Sequence, residues 1–116
     1  ATTGALSNCN DSMANGFNGP FWIAINNGFA YVVNYTGGTI SKCKVDAKSG
    51  DLSSCASTGS GFRSPFGITI HNGFAYVTNN IYGSVSKCAI DATTGVLSDC
   101  ATTGSGFSNP FGIAIY

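Results

Sequence analysis

A segment opening with Pro-Phe returns at a fixed spacing of 45 residues: Pro20-Phe21-Trp22-Ile23-Ala24-Ile25, Pro65-Phe66-Gly67-Ile68-Thr69-Ile70 and Pro110-Phe111-Gly112-Ile113-Ala114-Ile115. The same offset carries Asn27-Gly28-Phe29-Ala30-Tyr31-Val32 onto Asn72-Gly73-Phe74-Ala75-Tyr76-Val77, and Ser41-Lys42-Cys43 onto Ser86-Lys87-Cys88. A Leu-Ser-x-Cys element ends at Cys9, Cys55 and Cys100; its first offset is 46, so the loop before Pro20 is one residue longer. A period of this size belongs to arrays in which each unit buries its apolar surface against the next.

Each unit holds four strand-like runs: A at 66–70, B at 74–79, C at 84–91 and D at 97–102 in the second copy. Asn72-Gly73, like Asn27-Gly28, is the preferred pair for a type I′ hairpin, because both residues tolerate positive φ. Asp91 to Gly95 makes a short Gly-containing C–D turn, whereas the longer Gly-Ser-Gly-Phe link reads as a crossover from D to the next A. The hairpin places Ile70 opposite Ala75, Ile68 opposite Val77, Thr69 opposite Tyr76 and Gly67 opposite Thr78. Both faces of such a sheet are apolar or small, as expected of a sheet covered on both sides. Gly67 and Gly112 are expected to leave room for aromatics on their face.

Four antiparallel strands in 45 residues make one blade of a β-propeller. The expected fold is therefore all-β. It has an outer strand of a preceding blade and a crossover loop at 1–19, complete blades at 20–64 and 65–109, and the inner strand of a following blade at 110–116. A β-solenoid is the alternative, and the hairpin turns argue against its all-parallel coils. Propellers close with about 4–8 blades, so two blades are expected to sit in a partial propeller or an oligomer-completed one. The partners are then other blades of the same longer chain or identical chains.

Charged residues make up only 9% of the chain, Glu is absent and the formal net charge is zero. Such a chain lacks the cationic footprint for nucleic acid, and no apolar run approaches the roughly 18 residues of a membrane span. The opening Ala-Thr-Thr-Gly does not read as a signal peptide.

Cys43 and Cys55, and again Cys88 and Cys100, are 12 residues apart at the same places on strands C and D. The short turn sets each pair opposite one another, so two disulfides are expected, with buried free thiols as the alternative. Cys9 lacks its strand-C partner in this sequence and is expected to be unpaired or intermolecular. One His and no Cys-x-x-Cys speak against zinc, and no cofactor is expected. Disulfides point to an extracellular or cell-surface setting. Asn10-Asp11-Ser12 and Asn34-Tyr35-Thr36 fit the N-glycosylation pattern.

Tyr31-Val32-Val33-Asn34 and Tyr76-Val77-Thr78-Asn79 resemble the YVTN family of propeller repeats, and Pro-Phe-Gly-Ile and Gly-x-Val-Ser-x-Cys are similar to its secreted, lactonase-like bacterial members. The likeness spans essentially the whole chain; Val33 and Trp22 depart from the pattern. It implies a secreted or surface propeller, often seven-bladed, and no particular activity.

The chemically capable residues have structural readings first. His71 lies beside an A–B turn, Asp46 and Asp91 precede C–D turns where Asp bonds backbone, and Arg63 is the sole Arg, in a crossover loop. Phe17, Phe62 and Phe107 recur as inter-blade plugs. Trp22 stands where the other copies have Gly; core filling, an edge cover, a chain–chain contact and a sugar platform are its readings. Trp22 and Arg63 are thus the candidate ligand or interface contacts. Scaffold, adhesion or assembly without a catalytic site is the leading functional expectation, followed by glycan binding as in a lectin and by lactonase-like hydrolysis.

Overall fold

The computed structural model describes residues 3–7, 9 and 16–115. Eight strands form two four-stranded antiparallel meanders, ordered β1-β2-β3-β4 and β5-β6-β7-β8. β1 spans Pro20–Asn26, β2 Phe29–Asn34, β3 Thr39–Val45 and β4 Leu52–Ser57; β5 spans Pro65–His71, β6 Phe74–Asn79, β7 Ser84–Ile90 and β8 Leu97–Thr103. Each sheet is one blade, and the all-antiparallel order excludes the solenoid. Among the described residues no helix is long and apolar enough to cross a membrane.

Local chemistry sets the turns. Asn27-Gly28 has φ of 50° and 79°, and Asn72-Gly73 has 48° and 79°, the paired positive values of a type I′ turn. Ile68, Thr69 and Ile70 pair with Val77, Tyr76 and Ala75 as the turn dictates. Gly67 departs from the expected pairing. The register slips between Pro65 and Ile68, and the Gly67 N–H instead donates to Thr78 Oγ1 at 2.9 Å.

At the C–D turns the Asp46 carboxylate accepts the N–H groups of Lys48 and Ser49 at 2.9 and 2.7 Å. Asp91 does the same for Thr93 and Thr94. Both disulfides are formed, with Cα separations of 4.0 Å for Cys43–Cys55 and 4.1 Å for Cys88–Cys100. Beside each, the C–D ladder slips by a residue, and Ser54 and Asp99 take φ of 52° and 51°. These bulges escape the sequence pattern, since neither residue is a glycine. Cys9 is free and exposed.

The blades meet face to face, with β5 against β1 and β2. Tyr31, Val33, Ile40 and Phe62 of the first blade enclose Ile68, Ala75, Val77 and Leu97 of the second in one cluster. Phe62 is an inter-blade plug as expected. The glycines serve two ends. A Cβ on Gly112 would lie 3.4 Å from the Trp22 ring, as expected of a glycine making room for an aromatic. A Cβ on Gly67 would lie 2.6 Å from the Phe111 carbonyl oxygen, so there the close neighbour is backbone of the next repeat.

Candidate functional site

The meander sorts the connections. The A–B and C–D turns fall at one end of each blade, and the B–C corners and D–A crossovers at the other. Backbone bonds from Tyr35 N–H to Gly19 O and from Asn80 N–H to Ser64 O, each 2.9 Å, tie corner to crossover. Strand A starts at this crossover end, so every Pro-Phe is delivered there.

The outcome is an aromatic cluster at the crossover end. Phe21 stacks on Phe66 with centroids 5.0 Å apart, and Phe66 meets Phe111 edge-on at 4.7 Å. Tyr35 sits edge-on to Phe21 at 5.3 Å and to Phe66 at 6.0 Å. Trp22 tilts toward Phe66 at 6.4 Å. These are the separations at which aromatic quadrupoles attract. Phe21 and Phe111 remain more than half exposed, at 57% and 55%, and Trp22 is 38% exposed. Sequence reasoning singled out Trp22 and passed over Phe21, Phe66, Phe111 and Tyr35. Their signal was the Phe repeated at the head of every strand A.

Arg63 lies at the same end but outside this cluster. Its guanidinium sits over the Tyr82 ring, 4.6 Å from the centroid, and donates to the Tyr82 hydroxyl. The pair is an exposed cation–π contact between a crossover and a B–C corner.

The remaining candidates stand elsewhere. His71 closes β5 at the opposite end from the aromatics. Asp46 and Asp91 are there too, each carboxyl held below its usual range by turn N–H groups, chiefly those of Ser49 and Thr94. Lys42 and Lys87 lie over the rings of Phe29 and Phe74 at 4.8 and 4.7 Å. Among the described residues no three His, Cys, Asp or Glu side chains converge as a metal site.

Asn34, the second sequon asparagine, closes β2 at a B–C corner. It is fully buried, donates to Thr39 Oγ1 and Ser41 Oγ at 3.2 and 2.9 Å, and accepts the Asn18 N–H at 3.1 Å. Asn79 repeats the arrangement with Ser84, Ser86 and the Arg63 N–H. A carbohydrate on Asn34 would break a satisfied buried network. Asn10 falls outside the described residues.

The other polar residues of the tetrapeptide are equally structural. The Tyr31 hydroxyl donates to Gly95 O of the next blade at 2.7 Å, and burial raises its pKa. Thr78 Oγ1 accepts from Gly67 and donates to Phe111 O at 2.8 Å, joining three segments through one hydroxyl. Tyrosine thus fastens blade to blade, threonine fastens the inner strands, and asparagine holds the corner. No curated protein matches the chain. A family model described as "Lactonase, 7-bladed beta-propeller" matches residues 1–109, and with blades of this build the chain belongs to that family.

Proposed function

We propose that this chain is an extracellular scaffold and assembly module, a pair of disulfide-stapled blades whose work is to present and join surfaces. The observation that carries this reading is the state of the two outward blade faces. Ile23 and Ile25 on the first blade are 52% and 59% exposed, and Phe107 beside the second is 43% exposed, whereas Ile68 and Phe62, their counterparts at the internal interface, are 2% and 7% exposed. Apolar surface of blade-packing type is thus exposed on both outer faces, the surface on which further blades, of the same longer chain or of identical chains, would pack. The paired cysteines fit an oxidising compartment. The placement of His71, Asp46 and Asp91 in or beside turns at the end away from the aromatics also supports a joining role over hydrolysis.

Light scattering of the oxidised protein across a concentration series tests this. Masses above one chain that grow with concentration are expected. A single-chain mass at every concentration would refute the assembly reading, and turnover of a lactone panel would replace it with the hydrolytic one.

The aromatic cluster favours a second reading, glycan binding. Exposed Phe21, Phe111 and Trp22 form the kind of apolar platform on which sugar rings stack. A glycan array should then give hits that disappear in Trp22→Ala, and an array blank for the parent protein removes this reading.

A further inference from the structure

The Asn-Gly pair that makes each A–B turn is also open to a covalent rearrangement of its own. Glycine leaves the backbone nitrogen after the asparagine unshielded, so that nitrogen can attack the asparagine carboxamide. The sequence holds four such pairs, at Asn15, Asn18, Asn27 and Asn72, and Asn15 lies outside the described residues. The other three asparagines are all exposed, so exposure does not rank them. What ranks them is how each pair is held. Asn18-Gly19 is clamped against the first B–C corner. The Asn18 N–H donates to Asn34 Oδ1 at 3.1 Å, the Gly37 N–H to Asn18 O at 3.2 Å and the Tyr35 N–H to Gly19 O at 2.9 Å. A Cβ on Gly19 would run into the Thr36 side chain. Among the described residues, Asn27-Gly28 and Asn72-Gly73 are each tied by one bond outside the strand ladders, at the glycine oxygen, from the Val45 N–H at 2.9 Å and the Ile90 N–H at 3.0 Å. A Cβ on Gly28 or Gly73 would meet nothing within 4 Å. The tip peptide therefore has room to turn and little to hold it.

We infer that Asn27 and Asn72 are modification sites, converting without an enzyme to isoaspartate and aspartate in the folded protein, while Asn18 is spared. The tip first rotates out of its type I′ conformation. The Gly28 nitrogen then gives its proton to hydroxide and attacks Asn27 Cγ. The new N–Cγ bond closes a succinimide, the Cγ–Nδ2 bond breaks, and the departing nitrogen takes a proton from water and leaves as ammonia. Water opens the ring at either carbonyl, giving aspartate from one and isoaspartate, with the backbone routed through Cβ, from the other. Gly73 and Asn72 react in the same way. Isoaspartate lengthens a two-residue loop by one backbone carbon, against the Asn26–Phe29 and His71–Phe74 pairs that close it. Each conversion also adds a negative charge to a chain with five cationic and five anionic side chains, so a neutral chain becomes self-repelling with age.

Peptide mapping of the oxidised full chain, aged at neutral pH and sampled over time, tests the ranking. Each conversion adds about 1 Da, and fragmentation separates isoaspartate from aspartate at each position. Asn27 and Asn72 should convert at least about tenfold faster than Asn18, the scale set by breaking the extra bonds of the clamp. Reducing the chain and unfolding it in guanidinium removes the clamp, and there the three sites should convert within about threefold of one another. Asn18 converting as fast as the tips in the folded chain would overturn the inference. So would tips still intact once the unfolded chain has converted. A spread that persists unchanged in the unfolded chain would assign the ranking to neighbouring residues in place of the fold, and would overturn it as well.

Discussion

Removing one oxygen from Tyr31 isolates the blade-to-blade fastening. The Tyr31 side chain is fully buried, and its hydroxyl donates to Gly95 O at 2.7 Å. Tyr31→Phe keeps the ring and its packing, so the loss is the hydrogen bond together with a buried carbonyl left without its donor, about 1–3 kcal/mol. Unfolding entropy of about 2.1 cal/mol/K per residue over 116 residues makes each kcal/mol worth about 4 °C in Tm. The expected fall is therefore about 4–12 °C. Tyr76→Phe is the internal control, because Tyr76, the same residue one repeat later, lines an apolar groove beside the second blade. At protein concentrations too low for association it should cost almost nothing. The hydroxyl also has an alkaline signature. Burial raises the Tyr31 pKa above its ordinary 10.0, so its stabilising contribution is present below that value and is lost as pH climbs toward the folded-state pKa. Thermal melts by near-ultraviolet circular dichroism at neutral pH, repeated above pH 10, read both effects. A Tyr31→Phe protein melting within about 1 °C of the parent, or a Tyr76→Phe protein losing as much as Tyr31→Phe, would refute the assigned bond.

The repeat supplies controls for further perturbations. Gly95 and Gly50 share positive φ, 74° and 79°, but a Cβ on Gly95 would sit 2.8 Å from the Phe29 ring and the Tyr31 hydroxyl while one on Gly50 meets nothing; Gly95→Ala should thus cost about 1–3 kcal/mol more than Gly50→Ala in urea titrations. Each disulfide closes a loop with a sequence separation of 12, worth about 3 kcal/mol, so Cys43→Ser/Cys55→Ser should lower the urea midpoint and reduction of the parent should lower it further. Asp46 and Asp91, with carboxyls held below their usual range by turn N–H groups, contribute stability that is present above the ordinary carboxylate pKa and is lost as pH falls through the lower folded values. Asp46→Asn/Asp91→Asn should flatten the acid limb of the stability curve below about pH 4, and an unchanged limb would refute the assignment.

The blade was legible because its signals are local or periodic. The Asn-Gly turns fix the A–B register within a few residues of the turn, and the 12-residue cysteine spacing spans a single hairpin. The bonds between blades were not legible. Tyr31 and Gly95 are 64 residues apart, and periodicity alone does not say which face of a strand meets which neighbour. The buried Tyr nonetheless left a trace, since a tyrosine repeated inside an apolar strand needs a partner for its hydroxyl. Asn34 carries two signals in the sequence. Its sequon drew attention, yet the same Asn recurs at Asn79, where Asn80 and Ile81 follow and no sequon exists. Recurrence without the sequon marked a structural duty, the buried corner held by Asn18, Thr39 and Ser41. The aromatic cluster was hidden for a related reason. Each Phe belongs to a different repeat, and only the curvature of the array brings the three together.

Where the two copies differ most, they differ as a pair. Trp22 lies across from Val33, and the equivalents Gly67 and Thr78 are joined by the hydroxyl that also reaches Phe111 O. The Thr78 arrangement requires glycine, because a Cβ at Gly67 would stand 2.6 Å from that carbonyl oxygen. The first blade has neither hydroxyl nor glycine. There the Trp22 indole spans the inner strands, coming within 3.4 Å of where a Gly112 Cβ would stand. One solution fastens inner strands with a hydroxyl and the other with an aromatic plate, and mixtures of the two should fail. Trp22→Gly alone opens a void between inner strands, and Val33→Thr alone buries a hydroxyl with no donor or acceptor placed for it, each costing about 1–3 kcal/mol. The double variant recreates the Gly67–Thr78 relay and should recover part of that loss. The coupling should be favourable and within the 0.5–3 kcal/mol range typical of contacting residues, about 1 kcal/mol or more. Urea unfolding of the parent, both single variants and the double variant closes the cycle. Strict additivity would show that Trp22 and Val33 vary independently and that the hydroxyl bridge at Thr78 does not depend on its glycine.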